Sequence, residues 1–392
     1  MTPLRIALVA GESSGYHLGG RLISALKALS DRPLALLGVG GGAMEREGLE
    51  SLFPLSETAL MGPLAILARL PRLIRLVRRT VDEIVAFEPD ILVVIDSPEF
   101  THAVARRVRR RRPDIPIVNY VSPTVWAWRP WRARAMRRYV DHVAAIFPFE
   151  PDVHARLGGP PCTYVGHPLI EQERLEPSAE TAAGDLPVLL LLPGSRVTEI
   201  RRLLPVYRAT VERLADSGLA FRSVLPAVDH LAEEIREEVA QWPSPPDVVT
   251  GERAKWEAFA AARAALAASG TVTLELALSR VPMVVAYRLD PLTARLRWVL
   301  QLHSVVMPNL VLGENAFPEF IHDGCVPANL AAALGPLFGE TPERTAQLAA
   351  ADRVRVATDT GPETPSRRAA RLVLDVSARS RPADHLRVEM GT

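Results

Sequence analysis

The chain has 392 residues, too many for one ordinary core and suited to two domains. Its 48% hydrophobic and 23% charged content reads as soluble and globular, which excludes disordered and fibrous classes. A net charge of +1 gives no global steering toward nucleic acid.

Cationic residues are nearly all arginine; Lys27 and Lys255 are the only lysines. Cys162 and Cys325 lie far apart with no metal-ligand spacing, which fits a reducing cytoplasm and implies no metal. No N-terminal signal and no membrane-spanning run is visible.

Arg5 to Ala10 reads as a first buried strand, followed by Gly11-Glu-Ser-Ser-Gly15 and a helix from about Tyr16 to Leu29. Glu12 stands where open α/β sheets place their ligands, or it caps the helix. Leu34 to Val39 is a second strand, ending in a run of glycines, Gly40 to Gly42. These allow close backbone approach or a loose turn, and the acidic residue of a dinucleotide fingerprint is missing.

Residues 59–81 carry an apolar stripe, Leu70, Leu73, Ile74 and Val77, beside Arg69, Arg72, Arg75 and Arg79, with Pro71 suited to a first turn. The stripe faces either the core or an anionic membrane surface. A third strand, 90–96, delivers Asp96 to its carboxyl end as a helix cap or a general base. Arg106 to Arg112 reads as the solvated end of the next helix, not a nucleic-acid patch. A strand at 115–120 leads into a loop holding Trp126, Trp128 and Arg129. Strands at 143–147 and 162–165 close the first half, Gly166-His-Pro168 ends it, and 169–186 is the linker.

The second half, from 187, repeats the alternation, with strands at 187–192, 221–225, 246–249, 263–267 and 282–286. Val188 to Leu192 is continuously apolar, as suits a strand buried on both faces. Pro193-Gly194 breaks it, Ser195 takes an N-cap position, and Arg196 opens a helix. A strand, glycine turn and helix N-terminus hold phosphate through backbone amides, with Arg196 adding a forked cation; an ordinary turn is the other reading. Ser269-Gly270-Thr271 is a second such helix start, on a helix carrying Glu275. Residues 377–392 look like a frayed tail.

Together these stretches resemble the lipid-A-disaccharide synthase family. The matching motifs include Ala10-Gly-Glu-Ser-Ser-Gly15, Met61-Gly62, Ile95-Asp-Ser-Pro-Glu-Phe100 and Tyr120-Val-Ser-Pro-Thr-Val-Trp-Ala-Trp-Arg129. Phe147-Pro-Phe-Glu150, Gly166-His-Pro, Leu192-Pro-Gly-Ser-Arg196, Ser269-Gly-Thr with Glu275, and Pro308-Asn-Leu follow in family order. The resemblance implies the GT-B architecture, two Rossmann-like domains facing across a cleft: an acceptor-side domain, 1–168, and a UDP-sugar domain, 187–355. Residues 356–392 would form a helical segment returning to the first domain, or a tail.

The implied reaction moves 2,3-diacylglucosamine from its UDP derivative to 2,3-diacylglucosamine 1-phosphate (lipid X). It forms a β-1,6 bond with inversion and needs no cofactor. The resemblance makes Asp96 the base, with Glu12 as alternative, and gives the leaving diphosphate to Arg196, Gly194, Ser195, Ser269, Gly270 and Thr271. Glu275 would grip the ribose, Asn309 would line the nucleotide side, and Ser14, Ser122, Trp126 and Arg129 would shape the acceptor side. It also implies a cytoplasmic enzyme held peripherally at the inner membrane, with a homodimer as one oligomeric option and no nucleic-acid partner. The chain departs from the family at Tyr16, Ala65 and Thr101, all on the acceptor side. A nucleotide-sugar enzyme with another acceptor, an epimerase, and a non-catalytic UDP-sugar binder are the alternatives.

Overall fold

The computed structural model describes residues 2–54, 63–172, 186–288 and 304–379, with all side chains in these ranges except those of 13, 14 and 63–70. The chain forms two compact units, one built from 1–171 and 360–392, the other from 172–359.

The first unit carries β1 (Leu4–Ala10), β2 (Leu34–Val39), β3 (Glu50–Ser51), β4 (Ile91–Ile95), β5 (Ile117–Tyr120), β6 (His142–Ala145) and β7 (Cys162–Tyr164). All pair in parallel in the order β3-β2-β1-β4-β5-β6-β7. Helices cover both faces, so the strands are apolar on both sides, and alternate residues serve different cores. Ile6, Leu8 and Ala10 pack with Leu22 and Leu26 of the helix Ser13–Leu29 and with Ala370 and Val373 of the helix Pro365–Arg379. Ala7 and Val9 pack on the other face with Val77 and Ile84 of the helix Pro63–Phe87 and Val104 of the helix Pro98–Arg111.

Two expectations need correction here. Pro71 lies inside the helix Pro63–Phe87 rather than in its first turn, because the helix begins eight residues earlier, at Pro63. The last helix runs to Arg379 with Ser377 buried, so 377–379 belong to the packed chain rather than to a tail.

The second unit carries β8 (Val188–Leu192), β9 (Arg222–Ala227), β10 (Asp247–Thr250), β11 (Ala262–Ala268), β12 (Met283–Tyr287) and β13 (Glu319–Ile321). They are again all parallel, in the order β10-β9-β8-β11-β12-β13. In each sheet the order reverses once, between β1 and β4 and between β8 and β11. Loops leaving the carboxyl ends of two such strands run in opposite directions and leave a crevice, where open α/β sheets bind ligands. Among the described residues no helix is long and apolar enough to cross a membrane.

Candidate active site

In the second unit the loops after β8 and β11 line a cavity of about 710 Å³, within the usual size of a small-molecule site. Gly194 turns the chain at φ +105°, where a Cβ would lie 2.6 Å from a Glu199 carboxylate oxygen, so no other residue fits without displacement. The N-cap of the following helix, Val197–Asp216, is Arg196 and not Ser195. The first turn closes on the Arg196 carbonyl, which accepts from the Glu199 and Ile200 amides. No side chain caps this end, so its free N–H groups and the positive end of the helix dipole remain available to an anion. The exposed Arg196 guanidinium donates to Glu199 Oε1 at 2.9 Å. The Arg196 side chain is 71% exposed and that of Glu199 16%, so the guanidinium reaches solvent while the carboxylate is largely covered.

Across the crevice, Gly270 at φ +153° is the N-cap of the helix Thr271–Leu278, again without a side-chain cap. The Ser269 hydroxyl donates to the Val305 carbonyl at 2.8 Å, so it orders the loop, while Thr271 is exposed in the cavity wall. Glu275 lies one turn into the helix, 8% exposed, and accepts from Lys255 Nζ at 3.0 Å. Sequence reasoning missed Lys255; its rarity among 46 cationic residues was the signal. Asn309 does not line this cavity. It is fully buried, its amide donates to the Phe317 carbonyl and to Ser304 Oγ, and its Oδ1 accepts from the Phe317 amide. With those groups engaged it clamps the 304–317 segment.

In the first unit, Ala10 and Ile95 are register partners at the carboxyl ends of β1 and β4. Gly11 and Asp96 follow them. A Cβ on Gly11 would come within 2.4 Å of Ser97 Cβ, which keeps the two loops in contact. Glu12 Oε1 accepts from Ser97 Oγ at 2.9 Å, and Asp96 Oδ1 accepts from the Ser97 amide at 2.7 Å. The two candidate carboxylates are therefore joined through one serine. Asp96 is not the cap of the helix Pro98–Arg111, since Ser97 holds that position.

Asp96 and Ser97 both adopt left-handed backbone, at φ +53° and +48°. Each costs of order 1–3 kcal/mol and must be held in place. The fully buried Thr101 does the holding: its hydroxyl donates to the Asp96 carbonyl at 2.6 Å and lies 3.0 Å from that of Ser97. Tyr16 is likewise placed by local packing. Tyr16 lies flat on Gly41, whose Cβ would meet the ring at 3.0 Å. Met61 and Gly62, and the side chains of Ser14 and Ala65, lie outside those described.

After β5, Val121 is also left-handed, at φ +71°, which is rare for a β-branched residue. A buried chain of hydrogen bonds fixes it. Tyr139 Oη donates to His102 Nδ1, His102 Nε2 to Asn119 Oδ1, and Asn119 Nδ2 to the Val121 carbonyl, at 3.1, 2.9 and 2.9 Å. Burial lowers His102 to about 4, so the neutral ring this relay needs is the one present. Ser122 and Trp126 both have partners within the protein, Ser122 buried and Trp126 half-buried. Ser122 is buried, 2.8 Å from His154 Nε2, and Trp126 packs edge-on to Phe147 and Phe149 and donates to Glu150 Oε1 at 3.3 Å. Trp128 is exposed in this loop, with the Arg129 guanidinium 4.6 Å over its ring. Among the described residues no cluster of three or more His, Cys, Asp or Glu could hold a metal.

The family model for lipid-A-disaccharide synthetase matches residues 6–371. A lipid-A-disaccharide synthase from Nitrobacter hamburgensis is 50% identical over 382 residues, 96% of each chain. Among solved structures, the glycotransferase of kitacinnamycin superposes with a TM-score of 0.62 at 18% identity, covering 97% of this chain and 99% of that one. A Neisseria meningitidis UDP-GlcNAc 2-epimerase bound to UDP-GlcNAc gives 0.59 at 13%, covering 96% and 100%. The structural likeness fixes the fold as the two-Rossmann-domain GT-B class. The sequence match goes further, since it spans both sheets and every loop described above: the chain belongs to the lipid-A-disaccharide synthetase family.

Proposed function

We propose that this chain is an inverting glycosyltransferase that moves 2,3-diacylglucosamine from its UDP derivative to 2,3-diacylglucosamine 1-phosphate, forming a β-1,6 disaccharide and UDP. The observation that carries the reading is the match at 50% identity over 96% of the chain to a lipid-A-disaccharide synthase. The second unit's cavity, with two uncapped helix N-termini, supports its donor half.

In this reading Asp96 takes the proton of the acceptor hydroxyl as its oxygen attacks the anomeric carbon. The bond from that carbon to the diphosphate breaks, and UDP leaves with the electron pair. Arg196 and the amides after Gly194 meet the charge that develops there, in place before the reaction begins. Glu275 accepts from the ribose hydroxyls. Glu12 orients Asp96 through Ser97. Both lipids carry acyl chains, so the enzyme works at the inner membrane surface, held peripherally.

Incubation with both lipids and mass analysis of the products tests the reading. A disaccharide 1-phosphate with an equivalent of UDP is expected. A changed sugar nucleotide without a disaccharide would make the protein an epimerase, and UDP binding with no product would make it a non-catalytic relative. Asp96→Asn keeps the size of the side chain and removes its basicity. We expect kcat to fall by about 10²–10⁴ with UDP affinity unchanged. Near-normal turnover would transfer the role to Glu12.

A further inference from the structure

Only two lysines occur beside 44 arginines, and one of them, Lys255, stands in the wall of the nucleotide cavity. Its ammonium donates to Glu275 Oε1 at 3.0 Å, lies 4.6 Å above the centre of the Trp256 ring and is 5.9 Å from that of Phe259. Trp256 is itself fixed, 8% exposed, with its indole N–H donating to Glu252 Oε2 at 3.1 Å. Glu252 Oε1, at 3.9 Å, is the other carboxylate near the ammonium. No described residue hydrogen-bonds to the second carboxylate oxygen of Glu275.

We propose that Lys255 is a positioning residue that holds Glu275 by one oxygen and leaves the other to receive the ribose hydroxyls, so that it sets the preference for a ribonucleotide donor. The inference rests on the UDP-sugar reading of this cavity. The choice of lysine follows from geometry. A guanidinium tends to take both oxygens of a carboxylate with its fork, whereas an ammonium is a compact point charge that binds one. The two aromatic faces keep that charge from swinging away. In a chain that uses arginine almost everywhere, arginine here would occupy the oxygen that the ligand needs.

Calorimetric titration of UDP and 2′-deoxy-UDP against the wild type, Lys255→Met, Lys255→Arg and Glu275→Gln tests this, with thermal melting to verify that each variant is folded. The wild type should prefer UDP by about tenfold or more, the value of a hydrogen bond to a charged group. Glu275→Gln, Lys255→Met and Lys255→Arg should each lose most of that preference, because UDP binding weakens more than that of 2′-deoxy-UDP, which has only the 3′-hydroxyl to lose. If Lys255→Met does not fold, Lys255→Arg carries the test alone. A methionine variant that keeps the preference, or that weakens both nucleotides equally, overturns the proposal; the latter makes Lys255 a phosphate contact. An arginine variant with full preference also overturns it. If the wild type binds neither nucleotide, the UDP reading falls and the proposal with it, whereas wild-type UDP binding with an unaltered Lys255→Met ratio removes only the proposal.

Discussion

Glu150 is a carboxyl group with almost no access to water, 1% exposed behind Trp126. The Ile146 and Phe147 amides and the Trp126 indole donate to it, which favours the ionised form, yet burial outweighs them and pushes it up to about 7 from 4.5. Between those two values the folded state keeps a proton that the unfolded chain releases, so this group's contribution to stability falls as pH rises from about 4.5 to 7 and is level above. Glu150→Gln cannot titrate. Urea denaturation of both proteins from pH 5 to 8 should show the variant gaining on the wild type by about 2–3 kcal/mol across that range. A constant difference would mean that the three donors, not burial, set the ionisation. His102 and His154, buried and lowered to about 4, act in the opposite sense and cancel from the difference. Sequence motifs placed Asp96, Glu12 and Arg196 at strand ends, because a strand's carboxyl end can be read from where its apolar run stops, and placed Glu275 on the helix that opens after another such end. They could not reveal the shared Ser97, the clamp made by Asn309 or the hold of Thr101 on Asp96. The first depends on β1 and β4 becoming neighbours, and the other two on local loop conformations that an apolar pattern does not disclose.

At the scale of elements, long apolar runs such as Val188 to Leu192 were legible because burial on both faces leaves no polar alternation. The short strands β3 and β13, of two and three residues, carry too little pattern to be seen, and their neighbours alone make them strands. The helix Pro63–Phe87 answers part of the question its sequence raised. Leu76 and Val77 are buried in the core, whereas Leu73 and Ile74 are half-buried and Arg72, Arg75 and Arg79 are exposed. Leu70 lies outside the described side chains. The exposed arginines support the membrane attachment proposed above. Each basic residue near an anionic surface contributes about 1 kcal/mol. Changing Arg72, Arg75 and Arg79 together to Gln should therefore weaken flotation with anionic vesicles by about 10²-fold, and added salt should do the same to the wild type. Equal flotation of the two proteins would assign these arginines to ordinary solvated surface.

For the molecule as a whole, the decisive feature is that the first unit contains both the opening and the closing described segments of the chain. Ala369, Ala370, Val373 and Val376 give the last helix its buried stripe, and such spacing shows in a sequence that a helix is covered, but not by what. Two units with separate cores should respond separately to perturbation. In calorimetry, UDP at a hundred times its Kd should raise one unfolding transition by about 2.7 kcal/mol, and Val373→Asp should lower the other. A single transition moved by both would show that the units unfold as one. The same discontinuity bears on biosynthesis. The second unit is complete once Asp359 has left the ribosome, while the first still lacks the helix that covers Leu22 and Leu26. Translation at about 5–20 residues per second separates residue 171 from that helix by roughly 10–40 s. Throughout that interval an apolar face of the nascent first unit stays open to solvent, a binding site for chaperones and a point of vulnerability to aggregation that the finished protein no longer has.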